Sequence, residues 1–236
     1  MRKYARAPGR GPCLDTQRRL PAIAMKHLTY AFLLGLVAAP LGAHPHIFVD
    51  TAMRFDVNDD AEITGVTMTW VYDDFFSLLI FEDMDLDPDG DAVLTDAELE
   101  KLFGFDLVEW PEGFEGDLYL YSQGEKIEMP RPRSIGIAVE NGLIVATQYR
   151  DIPAVPVKGL EVHQYDPTYY VAYDVSRGVT FSNPDCSATV TDPDVEAAQE
   201  VIEEEVSGNM EDIFNEMKVG VHFSDKIEMT CAPRSN

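Results

Sequence analysis

The chain has 236 residues with 18 Lys and Arg against 42 Asp and Glu, a formal net charge of −24. Such a charge excludes nucleic acid as a natural partner and favours cations. The length suits one domain, or one domain carrying an insertion.

The first 43 residues read as a leader. Met25-Lys26-His27 supplies a short basic start, Leu28 to Ala39 an apolar stretch short for a bilayer span, and Ala43 a small residue at a cleavage point. Residues 1–24 are basic and bear Pro and Gly, unlike an export n-region, which points to Met25 as the start codon. Arg18-Arg19 lacks the residues that twin-arginine export needs after it. Cleavage after Ala43 predicts a soluble exported chain over residues 44–236 with no membrane span. It would begin His44-Pro45-His46-Ile47-Phe48-Val49-Asp50.

That start is a candidate metal site. The amine and imidazole of a terminal His44 chelate one ion, as in a histidine brace. Alternatively His44 and His46 act as two separate imidazole ligands. A square-planar amino-terminal site is disfavoured, because it needs a deprotonated amide where Pro45 has no N–H. His163 and His222 are the only further imidazoles after the leader. Nitrogen ligands suit nickel, cobalt, zinc and copper alike.

Residues 46–57 and 61–72 form a predicted hairpin around Asn58-Asp59-Asp60, with Val66, Met68, Trp70 and Tyr72 at strand spacing. Phe75, Phe76, Leu79 and Ile80 then fit a helix opened by an Asp cap at Asp73 or Asp74. Trp70, Tyr72, Phe75 and Phe76 are predicted core beneath this junction. A second short helix is expected near Asp96 to Phe103.

Between these helices lies the sharpest motif, Asp87-Pro88-Asp89-Gly90-Asp91-Ala92-Val93-Leu94-Thr95-Asp96-Ala97-Glu98. It matches an EF-hand calcium loop. Asp87, Asp89 and Asp91 fall at the first, third and fifth positions. Val93 offers a carbonyl at the seventh, Thr95 stands at the ninth, and Glu98 at the twelfth. A hard cation needs many oxygens wrapped around one point, and this spacing provides them. The departure is Ala92, where glycine normally makes the sharp turn. A Cβ in the left-handed region costs about 1 kcal/mol.

Strands return from Asp117. Asn141-Gly142 between Ser134–Glu140 and Leu143–Tyr149 is a strong hairpin signal. Gly159–Tyr165, Thr168–Val175 and Ser187–Val190 are further predicted strands. Asp194 to Val206 reads as an acidic helix with Val195, Ala198, Val201 and Ile202 inward. Val219–Phe223 is placed in a last strand. Cys186 and Cys231, the pair left after Cys13 departs with the leader, are expected to form a disulfide. The predicted fold is mainly β (α+β): a β-sandwich-like domain with an EF-hand-like insertion at about 73–104 and an acidic C-terminal helix.

His-Pro-His-Ile-Phe-Val-Asp from His44, Trp-Val-Tyr-Asp-Asp-Phe-Phe-Ser from Trp70, the loop from Asp87 to Thr95, and Tyr-Asp-Pro-Thr-Tyr-Tyr from Tyr165 together resemble a bacterial periplasmic family. It is catalogued as a domain of unknown function and often labelled the periplasmic component of an uncharacterised ABC-type transport system. The resemblance covers essentially the whole chain after the leader. It implies an accessory role beside nickel/cobalt-type membrane transporters.

The expected function is therefore periplasmic binding of a divalent transition metal for transport, with a calcium loop that holds the insertion. No catalytic residues are assigned, since nucleophile elbow, phosphate loop and zinc-protease helix are missing. The first rival is a histidine-brace copper enzyme, which needs His163 or His222 beside His44. The second is a calcium-dependent binding module with no transition metal. A two-lobed solute-binding protein is disfavoured by chain length and the lack of a lobe repeat.

Overall fold

A computed structural model describes residues 45–205 and 219–232. The predicted leader, His44 and the expected cleavage point lie outside the described residues. Those described belong to one compact unit, Ala43–Asn236.

The fold is mainly β, with two sheets and few helices. One sheet runs β5 (Arg133–Glu140), β6 (Leu143–Pro156), β2 (Glu62–Tyr72), β1 (Ile47–Val57), β8 (Val171–Asp174), and β9 (Val179–Phe181) also pairs with β1. The second runs β10 (Cys186–Thr191), β11 (Lys226–Cys231), β7 (Leu160–Gln164), β3 (Leu118–Ser122), β4 (Glu125–Lys126). The β1–β2 hairpin pairs Thr51 with Trp70 and Met53 with Met68, so the alternation read from β2 faces the alternation of β1. Asn141 and Gly142, at φ 54° and 84°, make the two-residue turn of β5–β6, a conformation Asn and Gly tolerate best. One hydrophobic core joins the sheets. Met53, Phe55, Met68 and Trp70 come from the first, and Leu118, Leu120, Val162 and Ile227 from the second.

The helical insertion follows β2. Helix α1 (Asp74–Asp83) is capped by Asp73, whose side chain accepts the Phe76 amide at 2.8 Å. Ser77 and Phe81 are its buried residues, and Ser77 Oγ accepts the Ile144 amide of β6 at 3.0 Å. Helix α2 (Asp96–Leu102) opens with a capping box between Thr95 and Glu98. Arg150 is buried on β6 and donates to the carbonyls of Glu115, Met129 and Pro130. It thereby ties the segment that leads from the insertion into the second sheet to the segment that leads from that sheet back to β5.

Four expectations need correction. The strand predicted from Thr168 begins at Val171, because the Asp166 carboxylate gathers the Thr168 amide, the Thr168 hydroxyl and the Val171 amide into a turn. Val219–Phe223 is a 3-10 turn, not the last strand. Gly220 lies so close to the Asp166 carbonyl that a Cβ there would collide with it. The true last strand, β11, buries Ile227 and Met229 by alternation. In α3 (Val195–Glu205), Ala198 and Ile202 are buried but Val195 and Val201 are exposed. That helix covers a small satellite core with Val219 and Phe223, and so narrow a surface accepts only a two-residue stripe. Finally, Phe75 is exposed, not core, because Ser77 and Phe81 turn the other face of α1 inward.

Candidate metal centre

The loop from Asp87 to Glu98 winds around its own first residue. Asp87 Oδ1 accepts the Asp91 amide at 3.0 Å and Oδ2 the Ala92 amide at 3.0 Å. Asp91 Oδ1 accepts the Val93 amide at 2.8 Å. Within the loop Asp87, Asp89 and Asp91 each bring one carboxylate oxygen within 4.8 Å of the others. Three carboxylates so close repel one another unless a cation lies between them. Ala92 adopts φ 59° despite its Cβ, the left-handed turn its position requires. Gly90 supplies a second, at φ 69°. Leu94 is buried in the main core and anchors the loop.

Glu98 occupies a different position from the trio. Its carboxylate accepts the Thr95 amide at 2.8 Å, the Thr95 hydroxyl at 2.7 Å and the Asp87 amide at 3.2 Å. The bond from the Thr95 amide, followed by that from its hydroxyl, holds the Glu98 carboxyl below the usual range. Thr95 thus serves as helix cap, and Glu98 links the end of the loop to its beginning. Val93 has an exposed side chain and Leu94 beside it a buried one. The donor set is all oxygen and all hard, and the carboxylates converge, so these residues fit a calcium-like ion. Asp87, Asp89 and Asp91 would hold it first, with Glu98 adjacent through its bond to the Asp87 amide.

The histidines are placed elsewhere. His46 is exposed, its amide donates to the Tyr170 carbonyl at 2.9 Å, and its ring lies 4.7 Å from that of Tyr170. His222 is exposed on the 3-10 turn, whose Gly220 amide donates to the Pro167 carbonyl at 3.0 Å. Its neighbour Phe223 stacks on Tyr169 at 4.0 Å. His46 and His222 therefore both lie beside the loop at 166–170. His163 is in the second sheet, with Nε2 3.9 Å from Glu161 Oε2 and its ring 5.9 Å from that of Tyr121. Among the described residues, the Asp trio is the one group of three His, Cys, Asp or Glu side chains spaced to hold a metal.

Sequence reading missed two acid–tyrosine pairs, one around the buried Asp117 and one around the half-buried Asp106. Tyr173 donates its hydroxyl to Asp117 Oδ2 at 2.9 Å, while Asp117 Oδ1 is buried with no hydrogen-bond partner. Burial, then the charge of Asp166, pushes the Asp117 carboxyl up to about 7. Tyr72 donates to Asp106 Oδ2 at 3.5 Å, and burial raises Asp106 to about 6. Trp70 lies between the two tyrosines, 6.3 Å from Tyr72 and 5.4 Å from Tyr173. Each acid is distant in sequence from the tyrosine it meets, so only the closed sandwich reveals the pairs.

Residues 29–231 match the family model described as "Protein of unknown function (DUF1007)". The chain belongs to this family. The family's description assigns no activity, so membership fixes kinship without chemistry. No curated protein matches the chain. The disulfide expected between Cys186 and Cys231 is present, at the facing ends of β10 and β11.

Proposed function

We propose that this protein is an exported, periplasmic metal-binding accessory protein without catalytic activity of its own. The observation that carries the reading is the convergence of Asp87, Asp89 and Asp91 in a twelve-residue loop that leads into a capped helix. In this reading calcium binds there and holds the two helices of the insertion. A divalent transition ion, nickel, cobalt, zinc or copper, is taken by His44 and His46 and exchanged with a membrane metal transporter. Support for the second site comes from the His-Pro-His sequence after a leader-like segment. The exposure of His46 beside Tyr170 is compatible with a ligand that must be reached from solvent.

A calcium-dependent binding module without a transition metal is the second reading. It is favoured by the all-carboxylate character of the one three-membered cluster among the described residues.

The test is elemental analysis of the protein purified from periplasm with its natural N-terminus. It is run beside a His44→Ala, His46→Ala double variant and an Asp87→Asn, Asp89→Asn double variant. About one transition ion per chain, lost only in the histidine variant, together with calcium lost only in the aspartate variant, is the expected result. Calcium alone in the first two proteins would leave the binding module standing. Neither metal in any of them would remove both readings.

A further inference from the structure

Helix α1 carries apolar side chains on two faces. The inner face is accounted for. Phe81 is buried, Phe76 lies 5.1 Å from the Tyr72 ring, and Ser77 is fixed to Ile144. The outer face is not accounted for by the fold. Phe75, Leu78 and Leu79 follow one another at helical spacing and are 71%, 57% and 49% exposed. Phe48 of β1, 55% exposed, is tied to the start of the same helix. Its carbonyl accepts the Asp73 amide at 3.0 Å, and its own amide donates to Asp73 Oδ2 at 2.7 Å. A surface helix ordinarily turns polar residues to water. A row of large apolar side chains on its outer face, with a fourth exposed on the strand bonded to its start, marks an interaction site.

The charges around this face select its occupant. Asp74, Glu82, Asp83 and Asp85 are all exposed, and α1 contains no basic residue. A second copy of the chain would bring two acidic rims together. An anionic lipid surface would repel the same rim, within a chain of net charge −24. A helix with apolar residues on one face and Lys or Arg on its flanks satisfies both features, in the groove-and-helix manner of amphipathic recognition.

We propose that the outer face of α1, with Phe48, is the docking surface for a cationic amphipathic helix of a partner protein. None of the residues of this surface is among the proposed metal ligands.

A synthetic eighteen-residue Leu/Lys helical peptide labelled with fluorescein is the probe, with anisotropy read at physiological salt. The comparison peptide keeps every Lys and replaces each Leu by Ser. A Leu78→Ser, Leu79→Ser variant and a Phe75→Ser variant remove the apolar row. These side chains are exposed, and circular dichroism verifies that each variant retains the fold. The expected result is binding of the Leu/Lys peptide that weakens by roughly tenfold or more in the double variant, with the Ser peptide at least as weak. Equal binding of the two peptides would reduce the effect to bulk charge and overturn the proposal. So would unchanged affinity in both variants. Dimerisation in sedimentation, or adsorption to phosphatidylcholine vesicles, that the double variant abolishes would assign the face to a second copy or a membrane instead.

Discussion

Ala92 carries the most direct consequence at the residue scale. It holds φ 59° at the turn of the loop where glycine has no Cβ to accommodate. Ala92→Gly is expected to tighten calcium binding about fivefold, the equivalent of roughly 1 kcal/mol, in calorimetric titration. Unchanged affinity would show that the turn carries the same strain with and without the ion. The buried acids set a pH dependence. The Asp117 carboxyl is raised from 3.8 to about 7 by burial, so the folded state holds its proton more tightly than the unfolded chain does. Its contribution is complete below the unfolded value and is lost as pH rises through about 7. Asp106, raised to about 6, acts in the same sense at lower pH. Asp117→Asn keeps an acceptor for Tyr173 and removes the ionisation. Thermal unfolding should then lose part of its decline between pH 5 and pH 8, and Tm at pH 8 should rise by about 2–4 °C per kcal/mol recovered. Glu98 has the opposite sign. Its depressed carboxyl favours the fold above the ordinary glutamate range and ceases to do so on acidification.

Between elements, two connections hold the insertion and the second sheet in place. Ser77 Oγ is the acceptor for the Ile144 amide, and both residues are buried. Ser77→Ala leaves that amide without a partner, so a loss of about 1–3 kcal/mol is expected in urea unfolding. A neutral result would mean that water replaces the hydroxyl. The disulfide from Cys186 to Cys231 closes a separation of 45 residues between β10 and β11. Restriction of the unfolded chain gives it a stabilising effect of about 4 kcal/mol. Cys186→Ser, Cys231→Ser should lower stability by about 2–4 kcal/mol. The facing alternation of Ala188 and Met229 on these strands predicts that the sheet itself persists, as judged by circular dichroism.

For the molecule as a whole, the acidic loop from Asp87 to Glu98 is inserted between two strands, β2 and β3, of the sandwich. Leu94 and Leu102 bury their side chains in the main core, so an ion that orders the loop stabilises the core with it. Calcium at about a hundredfold excess over its dissociation constant should stabilise the fold by about 2.7 kcal/mol, visible as a higher Tm that falls when EGTA is added. An Asp87→Asn, Asp89→Asn variant should show no such shift. A calcium-independent Tm in the unaltered protein would remove the loop from the list of ion sites. No helix among the described residues is long and apolar enough to cross a membrane.

The sequence by itself determined whatever depends on near neighbours. The β1–β2 and β5–β6 hairpins, the Asp73 and Thr95 caps and the acidic loop from Asp87 to Glu98 arise from contacts no more than about two dozen residues apart along the chain. Periodicity and turn chemistry suffice to read such contacts. The pairing of Cys186 with Cys231 was legible on the expectation that Cys13 leaves with the predicted leader. Tertiary structure alone decided which side of each element faces inward over distance. It turned Phe75 to solvent although its composition suits a core, left Val195 and Val201 outside a satellite core too small to cover them, and folded Val219–Phe223 against the Asp166 carbonyl. It also brought Asp117 to Tyr173 and Asp106 to Tyr72. Alternation and helical spacing define two faces of an element, and only the packing partner chooses which of them is buried.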